Sequence, residues 1–253
     1  MKINLENIGV RYMIGDFRHL GIKDVVIQKL KGLYNATEFW AVDGVSFQLE
    51  KGDFLGIVGK NGAGKSTLLK AVSGVMQPTR GKMTVEGTVA AFLELGTGFD
   101  GDMTVRENTF LRGALMGYTR EFLYETYDEI IAFAELEDYQ DRAFKHLSTG
   151  MRGRLAFSIA CLVQPEILIL DEVLAAGDGS FKVKSETRMK EIIAGGAATL
   201  LVSHSTSQIR SMCNKALWLH RGKQVAFGEA AEVVTQYENF LKGELLPEEI
   251  AVL

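Results

Sequence analysis

The chain has 253 residues, of which 47% are hydrophobic and 24% are charged, and its formal net charge is -4 at pH 7. This length suits a single α/β domain with a large core, and the slightly acidic balance without a broad basic run argues against nucleic acid as the main partner. No apolar run approaches the roughly 20 residues that cross a bilayer, and we expect no signal peptide, so membrane association should come through a partner.

The N-terminal region is predicted to contain two strands, at residues 2–12 and 44–49, with an insert at about residues 14–37. The insert carries apolar residues at helical spacing, interspersed with lysines. These apolar residues are Ile22, Val25, Val26, Leu30 and Leu33. A short basic amphipathic helix of this kind can lie at a membrane surface or in the groove of a partner, but it can also simply cover the edge of a sheet.

A complete G-x-x-x-x-G-K-[ST] phosphate-binding loop follows the strand predicted at residues 53–58. The loop consists of Gly59, Lys60, Asn61, Gly62, Ala63, Gly64, Lys65 and Ser66. Its glycines let the backbone fold closely around phosphate oxygens, Lys65 can reach the β- and γ-phosphates, and Ser66 can ligate Mg²⁺. A helix predicted from Thr67 onward directs the positive end of its dipole at the anion. The loop therefore predicts a site for a nucleoside triphosphate and magnesium.

Two helices are predicted at residues 104–116 and 120–136, and a third follows a short polar segment. This segment consists of Ser148, Thr149, Gly150 and Met151. A serine hydroxyl and backbone N–H groups at a helix N-terminus form an anion site, although Ser-x-Gly before a helix is by itself an ordinary cap.

Two further apolar strands, at residues 167–170 and 199–202, end in polar side chains. Because ligands of open parallel sheets bind beyond the carboxyl ends of the strands, we expect Asp171, Glu172 and His204 to meet Lys65 at one edge. There, Asp171 would hold Mg²⁺ through water and Glu172 would act as general base. His204 would contact the γ-phosphate. The alternatives are a helix cap for the acidic pair and a structural role for the histidine.

The C-terminal part is predicted to form a hairpin that turns at Arg221 and Gly222, followed by a last helix at residues 229–241. Cys161 and Cys213 lie in apolar contexts and are interpreted as reduced core residues of a cytoplasmic protein. The remaining histidines are interpreted as surface or packing residues. They are His19, His146 and His220.

The order of the phosphate-binding loop, the segment that begins at Ser148 and the strand that ends in Asp171 and Glu172 resembles ABC transporter ATPases over nearly the whole chain. The family's signature is usually LSGGQ, and here Thr149 replaces its first glycine and Met151 its glutamine. The resemblance implies an α/β P-loop NTPase fold with a mainly parallel sheet core, an antiparallel β edge and an inserted helical subdomain. It also implies one domain that divides into four parts. These parts are the nucleotide-binding core at 1–93 and 161–225, the helical subdomain at 94–160, an inserted gate-type helix at 14–37, and a C-terminal helix and tail at 226–253.

The resemblance further implies a homodimer, in which each ATP lies between the phosphate-binding loop of one subunit and the signature of the other. One self-complementary surface satisfies this two-fold arrangement. Asp178 would lie in the D-loop and couple the two sites. For stacking on adenine, Tyr12 is favoured and Trp40 is the competitor.

At the subfamily level, residues 93–99, the Ser-x-Gly-Met form of the signature and residues 171–178 are similar to ATPases that export bacterial cell-surface polysaccharides, such as O-antigen, capsule and teichoic acid. Glu94 stands where most ABC ATPases have a glutamine. It could ligate Mg²⁺, be protonated, or be a plain surface acid. In this subfamily a helix at the place of the insert lines the cytoplasmic entry of the pore.

The resemblance thus predicts an ATP-hydrolysing subunit that drives export of a lipid-linked polysaccharide across the cytoplasmic membrane. Its partners would be a second copy of the chain and two copies of an integral membrane permease, with the glycan contacted indirectly if at all. It would be peripheral, at the cytoplasmic face of the bacterial inner membrane. The alternatives are a soluble ABC ATPase that acts on ribosomes or DNA, and a transporter ATPase for another cargo. Soluble ABC ATPases usually carry two cassettes or long insertions, which this sequence does not show.

Overall fold

The structure is a computed structural model that describes residues 2–14, 37–92, 98–162, 165–171 and 179–244. Within these ranges, nine strands form one sheet in the order β4-β1-β2-β9-β8-β3-β7-β6-β5. The strands are β1 Lys2–Ile14, β2 Thr37–Leu49, β3 Phe54–Val58, β4 Arg80–Glu86, β5 Val89–Ala91, β6 Ile167–Asp171, β7 Ala198–Val202, β8 Lys215–His220 and β9 Lys223–Glu229. The helices are α1 Lys65–Val72, α2 Val105–Leu115, α3 Arg120–Ala134, α4 Thr149–Leu162, α5 Gly179–Ala194, α6 Thr206–Met212 and α7 Ala230–Lys242.

The centre of the sheet is parallel and its edge is antiparallel, which confirms the predicted fold class. Strand β3 pairs in parallel with β7 and β8, and β6 pairs in parallel with β5 and β7. Strand β1 pairs antiparallel with β2 and β4. All residues of β3 and β7 are buried, as expected for strands covered by helices on both faces. The carboxyl ends of β3, β6 and β7 therefore meet at one edge.

The predicted hairpin is confirmed. Strands β8 and β9 pair antiparallel, and both residues of the turn between them have positive φ, at 48° for Arg221 and 82° for Gly222. This backbone matches the twist of the flanking strands, and glycine adopts it without strain. The same turn binds other elements, because the Gly222 amide donates to the Ala63 carbonyl at 3.0 Å and the Asp43 amide donates to the Gly222 carbonyl at 2.8 Å.

Helices α2, α3 and α4 and two 3-10 turns, at Glu137–Tyr139 and Phe144–His146, form a unit that we call the helical lobe, within residues 98–162. It has its own apolar cluster, which includes Val105, Ile130 and Leu155. The start of α2 is fixed by a capping box between Thr104 and Glu107. Among the described residues, no helix has both the length and the apolar character required to cross a membrane.

The sequence prediction was wrong about where the N-terminal strands end and begin. Strand β1 continues to Ile14 and β2 begins at Thr37, seven residues before the predicted start. Pairing of the two strands, with Tyr12 opposite Phe39 and Ile14 opposite Thr37, explains the extension. The predicted helix of the insert lies outside the described residues.

Both cysteines are buried and unbridged, as predicted. Burial raises the pKa of the Cys161 thiol far above its usual range and that of the Cys213 thiol to about 12. Both therefore remain thiols rather than reactive thiolates at neutral pH.

Candidate functional site

A cavity of about 460 Å³ lies beyond the carboxyl ends of β3, β6 and β7. We call it the nucleotide cavity. It is lined by Tyr12, Phe39, Ala41, Asn61, Gly62, Ala63, Gly64, Lys65, Ser66, Thr67, Asp171, Val202 and His204. The structure thus brings together side chains that the sequence assigned to the same site from separate strands.

The phosphate-binding loop follows β3 and depends on glycine at two crowded positions. Gly59 has φ 153° and Gly64 has φ 103°. A Cβ atom on Gly59 would collide with the Leu219 carbonyl oxygen, and one on Gly64 with the Ala41 carbonyl oxygen. Gly62, with φ 77°, has open space around it. The loop is therefore pressed against β2 and β8, and its inner face is backbone.

Lys65 is held inside the loop. Its Nζ donates to the Gly59 carbonyl at 2.6 Å and to the Lys60 carbonyl at 3.2 Å. The side chain is buried, with 7% of the residue exposed. This places a fixed cation at the start of α1, where the helix dipole also favours an anion.

Ser66 and Asp171 lie side by side, and Ser66 Oγ donates to Asp171 Oδ2 at 3.4 Å. A hydroxyl and a carboxylate are oxygen donors that Mg²⁺ prefers, so the residues present fit this ion. Within the described part of the chain, no group of three or more His, Cys, Asp or Glu side chains is arranged to hold a metal. The fit therefore rests on the hydroxyl and carboxylate pair. Glu172 and Glu94, to which the sequence assigned roles as base and possible ligand, lie outside the described residues.

His204 lines the cavity from the end of β7. The turn that carries it is fixed by its neighbours. Ser203 Oγ accepts from the Ser205 amide at 3.1 Å and donates to Gln208 Oε1 at 2.7 Å. Ser205 in turn caps α6 by accepting from the Gln208 amide. The position of His204 is thus set by hydrogen bonds on both sides of it.

Two aromatic side chains enter the cavity from the paired strands β1 and β2. Tyr12 and Phe39 are opposite each other in the register and both line the cavity. The Tyr12 hydroxyl donates to Met76 Sδ at 3.5 Å. Trp40, the competitor for adenine stacking, is not among the lining residues, because neighbouring residues of a strand point to opposite faces. Its ring lies 5.7 Å from the guanidinium of Arg11 and 4.8 Å from that of Arg80.

Sequence reasoning missed Phe39. The predicted strand began too late to include it, although its alternation with Trp40 was a usable signal.

The signature segment lies away from the nucleotide cavity of its own chain. Ser148 accepts from the Met151 amide at 3.2 Å through its hydroxyl and from the Arg152 amide at 3.0 Å through its carbonyl, so it caps α4. None of Ser148, Thr149, Gly150 and Met151 lines the cavity. Asp178 lies outside the described residues.

The other histidines differ in position. His146 is exposed in a 3-10 turn. His220 packs edge-on against Phe240, and burial together with Arg221 and Lys60 lowers its pKa. Both positions agree with the predicted surface or packing role. His19 lies outside the described residues.

Comparison with known proteins identifies the family to which the chain belongs. A sequence model of the ABC transporter family matches residues 42–175. The chain is 36% identical over 241 residues to the teichoic acids export ATP-binding protein TagH of Bacillus anthracis, covering 95% of this chain and 43% of that protein. It is 37% identical over 238 residues to the O-antigen export system ATP-binding protein RfbB of Klebsiella pneumoniae, covering 93% of this chain and 97% of that protein. With TagH of Staphylococcus epidermidis the identity is 38% over 242 residues, covering 96% and 90%.

Solved structures support the fold. The ATP binding subunit of an ABC transporter superposes with a TM-score of 0.67 at 21% identity, over 100% of this chain and 98% of that chain. The dimeric structure of MJ0796, a bacterial ABC transporter cassette, gives a TM-score of 0.63 at 19% identity, over 90% and 98%. At these identities the likeness is one of fold.

Proposed function

The chain is an ATPase of the ABC transporter family, and from that premise we propose that it powers an exporter that moves a lipid-linked cell-surface polysaccharide across the cytoplasmic membrane. The observation that carries the proposal is the nucleotide cavity, where the phosphate-binding loop, Asp171 and His204 converge. The choice of cargo is supported by relatives that are named as O-antigen and teichoic acid export proteins.

The loop binds the triphosphate in this proposal. The backbone amides of Asn61, Gly62, Gly64, Ser66 and Thr67 surround the phosphate oxygens. Lys65 exchanges its two carbonyl acceptors for the β- and γ-phosphates. Tyr12 stacks on the adenine with Phe39 beside it. Ser66 and Asp171 would hold Mg²⁺, and the ion would supply positive charge that offsets the charge developing on the transferred phosphoryl group. Glu94 is a further candidate ligand.

Hydrolysis requires a group that orients and deprotonates water. Glu172 follows Asp171 directly at the end of β6 and is our candidate for this base. His204 donates to the γ-phosphate and senses its loss. In this proposal, the carboxylate of Asp171 therefore binds the metal and that of Glu172 activates the attacking water.

A second copy of the chain completes each site. The signature residues do not line the nucleotide cavity of their own chain, which supports a dimer in which Ser148, Thr149, Gly150 and Met151 contact the ATP of the partner. Asp178 would couple the two sites across the interface. A two-fold pair satisfies both contacts with one surface.

The helical lobe offers a surface for the membrane partner. Between α2 and α3 lies a groove of about 580 Å³, which we call the lobe groove. It is lined by Met103, Arg106, Glu107, Phe110, Leu111, Ala114, Tyr118, Arg120, Leu123 and Tyr124. Its lining exposes apolar surface, because Tyr124 is 60% and Met103 38% exposed. Such a patch on a helical surface suits a partner helix. We assign it to a cytoplasmic segment of a permease, present in two copies by symmetry.

This arrangement puts the chain at the cytoplasmic face of the membrane as a peripheral subunit, with the glycan contacted indirectly if at all. ATP would close the dimer and hydrolysis would reopen it, so that the two states make different contacts with the permease.

The first test concerns the base. Glu172→Gln should still bind ATP but lose roughly 10²- to 10⁴-fold in kcat, because the amide cannot accept the proton of water. Glu137→Gln, an exposed acid in the helical lobe, is the matched control and should keep wild-type turnover. Near-normal hydrolysis by Glu172→Gln would contradict the assignment.

The second test concerns the cargo. Cells that lack the gene should lose a surface polysaccharide, and the wild-type chain but not Glu172→Gln should restore it. The tagged chain should copurify with an integral membrane protein. Copurification with ribosomes or DNA instead, without a surface defect, would point to a soluble ABC ATPase.

A further inference from the structure

The last described helix, α7, contacts the phosphate-binding loop through one aromatic ring. Phe240 lies in the last turn of α7, and the Lys60 Nζ atom is 4.7 Å from the centre of its ring. An ammonium group within about 6 Å of an aromatic face is attracted by the ring quadrupole. We propose that Phe240 is a positioning residue for the phosphate-binding loop, through which α7 sets how tightly the loop takes up ATP. This inference rests on the proposed function, since it takes the loop as the site of the phosphates.

The Phe240 ring is held in place by two aromatic side chains of β8. Its centre lies 5.2 Å from that of Trp218 and 5.1 Å from that of His220, both on β8. Trp218 is fully buried. It is also paired with Val58, the last residue of β3. The ring therefore packs against β8, and the loop follows β3, the strand that pairs with β8, so the sheet relates the position of the ring to that of the loop.

The contact between Phe240 and Lys60 is linked to Lys65 through the backbone of Lys60. The Lys60 carbonyl accepts from the Ala63 amide at 3.1 Å and from Lys65 Nζ at 3.2 Å. A ring that restrains the Lys60 side chain thus restrains a carbonyl that orients Lys65. Ordering the loop before ATP arrives lowers the cost of ordering it on binding. We therefore expect the contact to act on ATP affinity more than on the chemical step.

A packing role and a positioning role of Phe240 predict different effects of substitution. If Phe240 only packs against β8, its apolar volume matters, and leucine has most of that volume. If Phe240 positions the loop, the face of an aromatic ring must lie opposite the Lys60 ammonium group. Phe240→Leu removes the ring, Phe240→Tyr keeps it, and Leu241→Ala alters the next residue, which is 49% exposed.

The test is steady-state ATPase kinetics on these variants in the complete chain. Phe240→Leu should raise KM for ATP about two- to fivefold, the size of an exposed cation–π contact, with kcat changed less than about twofold. Phe240→Tyr and Leu241→Ala should keep the wild-type KM. In a Lys60→Met background, Phe240→Leu should have no further effect, because the cation it acts through is gone. An equal rise in KM for Phe240→Leu and Phe240→Tyr, or an undiminished effect of Phe240→Leu in the Lys60→Met background, would overturn the proposal.

Hydrogen exchange gives a second readout that does not need the Phe240 variants to fold. Because coupling between sites is reciprocal, ATP should slow amide exchange in the last turn of α7 in the wild-type chain but not in Lys60→Met. A wild-type chain that binds ATP without this slowing would refute the positioning role alone. A wild-type chain that does not bind ATP would instead refute the proposed function.

Discussion

The nucleotide cavity and the helical lobe are held in place in different ways. Tyr12, the loop, Asp171 and His204 come from distant parts of the chain and meet because the sheet aligns the ends of their strands. The lobe depends on local contacts, such as the Thr104 side chain that accepts from the Glu107 amide three residues later.

The surfaces of the two regions differ as well. The cavity gathers backbone amides and polar side chains, whereas the lobe groove exposes Met103 and Tyr124. In the proposed function this difference corresponds to two roles. The part whose geometry the whole sheet fixes would carry the chemistry, and the part that a few helices shape on their own would contact the partner.

The largest expected effect tests whether close packing against β2 holds the phosphate-binding loop in place. Gly64→Ala should lower the free energy of unfolding by about 3 kcal/mol and abolish measurable ATP binding, because the Cβ collides with the Ala41 carbonyl at a strained φ. Gly62→Ala, also at positive φ but in open space, should cost only about 1 kcal/mol. Denaturant titration measures both, and equal losses would show that the crowding at Gly64 is unimportant.

The next effect tests whether the lobe serves the partner. Tyr124→Glu should weaken copurification with the proposed permease roughly tenfold, since a charge is buried in the contact, and should leave basal ATPase activity unchanged. Leu241→Glu, at an exposed position outside the groove, is the control. Loss of basal ATPase activity in Tyr124→Glu, with the permease contact intact, would reverse the proposed division of work.

A smaller effect tests the local character of the lobe. Thr104→Ala should cost about 1 kcal/mol of stability because it removes the cap of α2. Hydrogen exchange should rise at the start of α2 while KM for ATP stays at the wild-type value. Faster exchange throughout β3 and β7 would instead mean that lobe and sheet unfold as one unit.

The smallest effect concerns an ion pair at the base of the sheet. Burial alone would raise the pKa of Asp53, but the Glu50 amide and Lys215, whose Nζ is 2.8 Å from the carboxylate, lower it below its usual value. A carboxylate with a lowered folded-state pKa stabilises the fold above about pH 4 and loses that contribution as the pH falls through the folded pKa.

Asp53→Asn should therefore be less stable than wild type by under about 1 kcal/mol at pH 6, and the difference should shrink towards pH 3. Urea titration across this range measures it, with the exposed Asp138→Asn as control. A difference that grows on acidification would contradict the sign.

The sequence predicts the cavity well because its features are local. The glycine spacing of the loop, Asp171 at the end of β6, His204 after β7 and the turn at Arg221 are each visible within a few residues of sequence, and the structure places these four features where the sequence predicts them. The helices of the lobe also begin and end close to the predicted residues, since apolar spacing and caps mark them.

What escaped prediction depends on pairing and packing between distant residues. The early start of β2 follows from its ladder with β1, so the alternation of Phe39 with Trp40 indicates a strand but does not show that Phe39 lies opposite Tyr12. The contact between Lys60 and Phe240 joins the loop to the last helix and has no local signature. The position of Ser148 relative to the cavity likewise depends on the path of the whole lobe.

The two carbonyls that hold Lys65 have a consequence for ligand selectivity. Since Lys65 Nζ donates to the carbonyls of Gly59 and Lys60, a ligand that binds this lysine must replace acceptors that the lysine already has. Neutral carbonyl-like acceptors on a small molecule would gain nothing by the exchange. Only a group with more negative charge than a peptide oxygen makes the exchange favourable, so Lys65 selects for the charged phosphates of a ligand.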